Sequence, residues 1–126
     1  VDVEPYPVAP WTQNRTRNKA VLDGVLRGYD DAGTDVGFYT SPGPWRDIIG
    51  SARYGLPEWR TAGGHPWSRT DYGSARRMCS VTPVQGGDIL VAQWWDTRRD
   101  YDLLCPTARK TATVTKIFTW LSEEAA

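Results

Sequence analysis

Ile89-Leu90-Val91-Ala92-Gln93-Trp94 is a near-continuous apolar run, the pattern of a strand covered on both faces in a parallel sheet. Working outward from it, strands and helices alternate. Asp2-Val3-Glu4 lies in an apolar stretch at the start. Pro5 to Pro10 reads as a loop, and Thr12 or Asn14 can cap a helix carrying Ala20, Val21, Val25, Tyr29 and Ala32 at helical spacing, ended by Gly33. Val36 to Thr40 reads as the next strand, Pro44 to Ile49 as a short helix stopped by Gly50, and Leu56 to Arg60 as a third strand. A loop over Ala62 to Pro66 leads to a short helix around Tyr72 to Met78. The last helix is expected over Ala108 to Glu123, with Val114, Ile117, Phe118 and Leu121 on one face. About four strand-helix units of this kind predict a parallel α/β architecture. No Gly-x-Gly-x-x-Gly turn follows a strand and no P-loop is present, which leaves a doubly wound nucleotide-binding sheet without its signature. A (βα)₈ barrel needs about 250 residues; by that measure the chain is half of one.

Composition bounds the function. With 126 residues, 40% of them apolar, the chain forms one domain at most, without the charge excess of a disordered protein or an apolar run long enough to span a membrane. Net charge is zero. Arg76-Arg77 and Arg98-Arg99 are local basic pairs, but no basic stripe interleaves with aromatics, so nucleic acid is not an expected partner. Val1 already lies in what reads as a strand and no methionine precedes it, so the lack of a leader peptide decides nothing.

Candidate chemistry begins with Asp2 and Glu4. In a strand, side chains two apart point to one face about 7 Å apart. Such a pair can divide acid and base work if burial holds the proton on one of them, as glycoside hydrolysis requires; solvated Asp-x-Glu pairs are also common by chance. Cys79 and Cys105 lack C-x-x-C spacing, and His65 is the single histidine, so a zinc site lacks ligands and no metal is expected. A disulfide between the two cysteines, implying an oxidising compartment, is preferred over two buried thiols. His65, between Gly64 and Pro66, reads as a solvated loop residue. A Ser-His-Asp triad has no nucleophile elbow to support it. Seven tryptophans suit sugar stacking and equally suit a large core; Trp45, Phe118 and Trp120 lie at helical spacings and are expected in the core. Glu58 either faces the site near Glu4 or points to solvent.

Five short motifs in order carry a resemblance. Val1-Asp2-Val3-Glu4-Pro5, Val36-Gly37-Phe38-Tyr39-Thr40-Ser41, Leu56-Pro57-Glu58-Trp59, Leu90-Val91-Ala92-Gln93-Trp94 and Tyr101-Asp102-Leu103 together resemble the C-terminal half of family 25 glycoside hydrolases, lysozyme-like muramidases, and look closest to their secreted actinobacterial relatives. The resemblance runs over nearly the whole chain. It implies parallel βα units equivalent to the second half of a TIM-type (β/α)₈ barrel, with residues 1–126 beginning at the fourth barrel strand. It implies hydrolysis of the β-1,4 bond between N-acetylmuramic acid and N-acetylglucosamine in peptidoglycan. Glu4 would be the general acid, Asp2 would stabilise the oxocarbenium-like transition state or orient the substrate N-acetyl group, and Asp102 would support them. Asp100 competes with Asp102 for that place, which only the following Leu103 favours. Tyr39, Trp59, Gln93 and Trp94 would bind substrate. The resemblance also implies no organic cofactor, a place outside the cell or in its envelope, and peptidoglycan or a related glycan as partner.

The family's first-strand aspartate has no counterpart, because everything before the fourth strand is absent. A half-barrel also exposes strand edges that chains normally close by pairing. Activity is therefore expected to need the missing N-terminal half or a second copy of the chain. The competing expectation is a non-catalytic module that binds glycan or docks on another chain.

Overall fold

In the computed structural model, residues 1–5, 11–62, 70–96 and 98–108 are described. They form a five-stranded sheet with helices against it. The order along the chain is β1 (Asp2–Val3), α1 (Arg15–Asp31), β2 (Phe38–Thr40), α2 (Pro42–Ile48), β3 (Glu58–Thr61), α3 (Tyr72–Met78), β4 (Ile89–Trp95) and β5 (Asp100–Leu104). The strands lie side by side in sequence order, the first four parallel and β5 antiparallel to β4.

The antiparallel β5 corrects the expectation of a wholly parallel sheet. Asp96 reverses the chain after β4: its side-chain oxygen accepts the backbone N–H of Arg98 (2.7 Å) and Arg99 (3.1 Å), and its own N–H donates to the Arg99 carbonyl (3.1 Å). A turn of this kind lets the next segment pair back at once, without the crossover that a parallel neighbour needs.

Register sorts the side chains. Asp2 pairs with Tyr39, Tyr39 with Trp59, Trp59 with Val91 and Val91 with Leu104; Gln93 pairs with Asp102. Paired residues share a face, so this row lies on one side of the sheet. On the other side, Val3 and Phe38 pack with Leu22 of α1 and with Trp45 and Ile48 of α2, while Ile89 and Ala92 pack with Ala75 of α3. All three described helices therefore cover one face; on the other, Val91 and Leu104 pack against the buried Leu90 and Ala108, and no described helix lies over the rest of the row. Trp45 belongs to this core, as its spacing predicts: its ring meets Phe38 edge to face at 5.0 Å and its indole N–H donates to the Ala52 carbonyl.

Asn14 caps α1, its side chain accepting from the Arg17 N–H at 3.1 Å. The helix buries a different side from the one its hydrophobic spacing predicts. Asn18 and Leu22 are buried, whereas Val21 and Tyr29 are exposed. The reason is Asn18, whose side chain donates to the carbonyls of Thr12 (2.8 Å) and Ile48 (3.0 Å) and accepts from Thr12, tying α1 to the end of α2. Where β2 begins, Gly37 has no room for a side chain: a Cβ would meet the Pro57 carbonyl oxygen at 2.8 Å. The loop over Ala62 to Pro66, His65 within it, and the expected last helix with Phe118 and Trp120 fall almost wholly outside the described residues.

Candidate functional site

The open face is where the candidate residues meet. Asp2 is on β1 and Glu4 just past it, Tyr39 on β2, Trp59 on β3, Gln93 on β4, and Asp100 and Asp102 on β5. Strand alternation explains the gathering: each is two residues, or one cross-strand pair, from the next. A groove of about 600 Å³ runs along this face, with Asp2, Glu4, Tyr39, Trp59, Gln93 and Asp100 among its walls and Val36, Leu90 and Val91 giving it an apolar floor.

Two hydrogen bonds fix the aromatic wall. The Tyr39 hydroxyl donates to Gln93 Oε1 at 2.6 Å, and the Trp59 indole N–H donates to Asp102 Oδ1 at 3.0 Å. The two rings meet edge to face at 5.3 Å. Trp59 is nonetheless 39% exposed, so part of an apolar ring with an anchored polar end stands in solvent.

Electrostatics set this face apart. Partial burial raises the Glu4 carboxyl above its ordinary range, and the charge of Asp2 adds to the effect. Partial burial also raises Asp2. Asp102 is raised by burial and by Asp100, against the lowering effect of the Trp59 hydrogen bond. The Tyr39 hydroxyl is pushed well above its usual range, first by burial and then by Glu4, Asp2, Asp100 and Asp102. Four carboxylates thus act on one phenol. Both members of the Asp2–Glu4 pair are shifted the same way, toward holding a proton.

Two expectations need correcting. Trp94 is on the covered face, stacked on Tyr101 at 5.1 Å and 12° and meeting Tyr72 edge to face, so it is not brought to the groove with the others. Its neighbour Gln93 is, because successive strand residues alternate. Glu58 takes neither of its expected places. It is 1% exposed on the covered face, where its carboxylate meets Arg60 Nη1 at 3.1 Å and accepts from the Gln85 backbone N–H at 2.9 Å and from Gln85 Nε2. Asp100 and Asp102 share a face, so the choice between them dissolves: Asp100 lines the groove and Asp102 anchors Trp59. Asp35, which also lines the groove, carried no sequence signal.

Cys79 and Cys105 form a disulfide joining the end of α3 to the end of β5, which fits an oxidising compartment. Among the described residues no helix is long and apolar enough to cross a membrane. No three acidic, cysteine or histidine side chains among them are placed to hold one metal ion. No family model, curated protein or solved structure matches the chain.

Proposed function

We propose that the chain is the C-terminal part of a barrel-type glycoside hydrolase that acts on peptidoglycan or a related glycan outside the cell. The observation that carries this reading is the convergence of Asp2, Glu4, Tyr39, Trp59, Gln93 and Asp102 on one open face, joined by the Tyr39–Gln93 and Trp59–Asp102 hydrogen bonds. Sequential parallel strands with helices on one face support the half-barrel, since a singly wound sheet of that kind curls and closes with further βα units. The antiparallel β5 departs from a regular (βα)₈ repeat. The Cys79–Cys105 disulfide supports secretion or a place in the cell envelope.

In this reading Glu4, half-buried and raised in pKa, donates its proton to the glycosidic oxygen as the bond to the anomeric carbon breaks. Asp2, or Asp102 across the groove, carries the negative charge that stabilises the oxocarbenium-like transition state, and water completes the reaction at the anomeric carbon. Trp59 and Tyr39 supply the apolar surface against which a sugar ring packs. The N-acetylmuramic acid to N-acetylglucosamine β-1,4 bond is the bond that the muramidase resemblance points to, and Trp94 is left out of the binding set because of its place on the covered face.

The test is release of reducing sugar from purified peptidoglycan, read by mass spectrometry, for the wild type and Glu4→Gln, each with and without the preceding half of the barrel. Release from the completed barrel that falls about 10²- to 10⁴-fold in Glu4→Gln is the expected result. A completed barrel that binds glycan, releases nothing and binds equally well as Glu4→Gln is a binding module instead.

A further inference from the structure

α1 carries an apolar strip that the sheet does not use. Val21, Val25 and Tyr29 are 58%, 38% and 40% exposed, and they are three of the five large hydrophobic side chains exposed among the described residues. Four positions apart, they line up along one side of the helix. The polar contacts of α1 with its neighbours are made by other residues: Arg15 donates to the Asp47 carbonyl, Asn18 to the Ile48 carbonyl, and Lys19 and Asp23 meet Tyr54. Charge along α1 also runs against the helix. Its first turn carries Arg15 and Arg17 and no acid, and its last turn carries Asp30 and Asp31 and no base, although the helix dipole favours the reverse at both ends. Arg15 has a local partner in the Asp47 carbonyl. Arg17 and Asp31 have no side-chain hydrogen bond or ion pair among the described residues, so nothing described within one copy offsets their placement.

We propose that α1 is the contact through which two copies of the chain pair, antiparallel across a two-fold axis near Val25. Such an axis sets residues whose numbers sum to about 50 opposite one another, so Val25 meets the partner's Val25 and Val21 meets the partner's Tyr29. Asp31 follows Arg17 by 14 positions, close to four turns, so both stand on one flank of the strip, about 21 Å apart. The two-fold axis keeps that flank and reverses the helix direction, which brings Arg17 to the partner's Asp31 at each end of the pair. A charge distribution that works against a lone helix becomes complementary between two. Because α1 packs on the covered face of the sheet, pairing leaves the groove of each copy open. The proposal stands apart from the glycan reading and does not need it.

The experiment is sedimentation velocity of the full chain over a concentration series. One helix from each copy makes a small contact, so the expected result is a dimer with a dissociation constant on the order of 10 µM at about 0.05 M salt, weakening as salt rises. Val25→Glu sets two like charges at the axis and should leave the chain folded and monomeric. Arg17→Glu and Asp31→Arg should each raise the dissociation constant roughly ten-fold, and the double variant Arg17→Glu/Asp31→Arg should return it to within about three-fold of the wild type. Both reversals agree with the helix dipole, so neither puts the fold at risk. Val25→Cys should cross-link copy to copy on mild oxidation, since Cys79 and Cys105 are the two cysteines of the chain and are bonded to each other. A chain that stays monomeric at about 0.2 mM overturns the proposal; labelling of the Val25→Cys thiol then tells whether the strip is bare or lies under another segment of the same polypeptide. A dimer unmoved by Val25→Glu, or one that the double reversal fails to restore, also overturns it, and the open edge of β1 is then the next surface to examine.

Discussion

The two faces of the sheet treat carboxylates in opposite ways. On the covered face Glu58 is buried, yet both its oxygens are engaged: one by Arg60, the other by the backbone and side chain of Gln85, which in turn accepts the N–H groups of Tyr54 and Leu56. On the open face Asp2 and Glu4 are only partly buried and have no hydrogen-bonded counter-charge among the described residues, and burial raises both. The difference teaches where structure ends and chemistry begins. A buried carboxylate with both oxygens engaged offers nothing to a ligand, although the Arg60 Nε beside it has no hydrogen-bond partner among the described residues; a group of under-compensated acids costs stability and is ready to give a proton or meet a charge.

Removing Arg60 should break the covered face most. Arg60→Ala strands the Glu58 carboxylate in the core, and loss of about 3–5 kcal/mol in denaturant unfolding is expected. Replacing Glu58 and Arg60 together by apolar residues of similar volume should cost far less, since no lone charge is left. A double replacement as damaging as the single one would show that the pair is held for its packing. Next comes the disulfide. Cys79 and Cys105 are 26 residues apart in sequence, and changing both to Ser should cost about 3 kcal/mol, read from the unfolding midpoint. Because β5 carries Asp100 and Asp102, the same change should, on the glycan function proposed above, weaken glycan binding more than it lowers the helix content seen by circular dichroism. An unaltered glycan affinity would mean that hydrogen bonding to β4 alone holds β5 in place.

How much of this was legible in the residues follows the same division. The run Ile89 to Trp94 declares its strand because it is apolar on both sides; the helix over Tyr72 to Met78 is read in the sequence without its cap, Asp71, which accepts the Ser74 N–H in the structure. The candidate residues Asp2, Glu4, Tyr39, Trp59, Gln93 and Asp102 stand in short motifs, and strand alternation is enough to bring them to one face. Other features were hidden for physical reasons. β5 carries Asp at two of its five positions, a composition that strands avoid, and only its ladder with β4 makes it one. Glu58 reads in the sequence as facing the site or solvent because its partner Arg60, two residues on, and Gln85, far along the chain, meet it only after the sheet forms. In α1 the polar Asn18 belongs to the core and the apolar Val21 does not, a reversal that hydrophobic periodicity cannot register.

That reversal gives a smaller prediction. Gly24 and Gly28 lie within α1, and nothing stands within 4 Å of where a Cβ would be at either. Each should cost about 0.5–1 kcal/mol relative to Ala in a helix interior. Gly24→Ala is therefore expected to raise stability by up to about 1 kcal/mol in thermal or denaturant unfolding. Destabilisation would mean that the space over α1 is occupied in the assembled protein, and that the glycine is kept for a close neighbour.

The smallest effect sharpens the contrast between the faces most directly. A carboxyl raised by folding binds its proton more tightly in the folded chain than in the unfolded one, so its contribution is most favourable below the unfolded value and declines as pH rises through the folded value. Glu4 is such a group, starting from an ordinary value of 4.5, and Asp2 and Asp102 behave alike. Asp23, lowered by its hydrogen bonds from Lys19 and Tyr54, works in the opposite sense: its stabilisation is present above its unfolded value and is lost as pH falls through the folded one. Glu4→Gln removes one of the first set. Unfolding free energies of wild type and Glu4→Gln should coincide well below pH 4.5 and separate at neutral pH, the variant being the more stable, by no more than about 1 kcal/mol because solvent screens a half-buried charge. A variant less stable at neutral pH would mean that the ionised Glu4 carboxylate has a stabilising partner in the folded protein, and the open face would then be as well compensated as the covered one. Stability gained together with turnover lost is the pattern of a residue held in place for its chemistry.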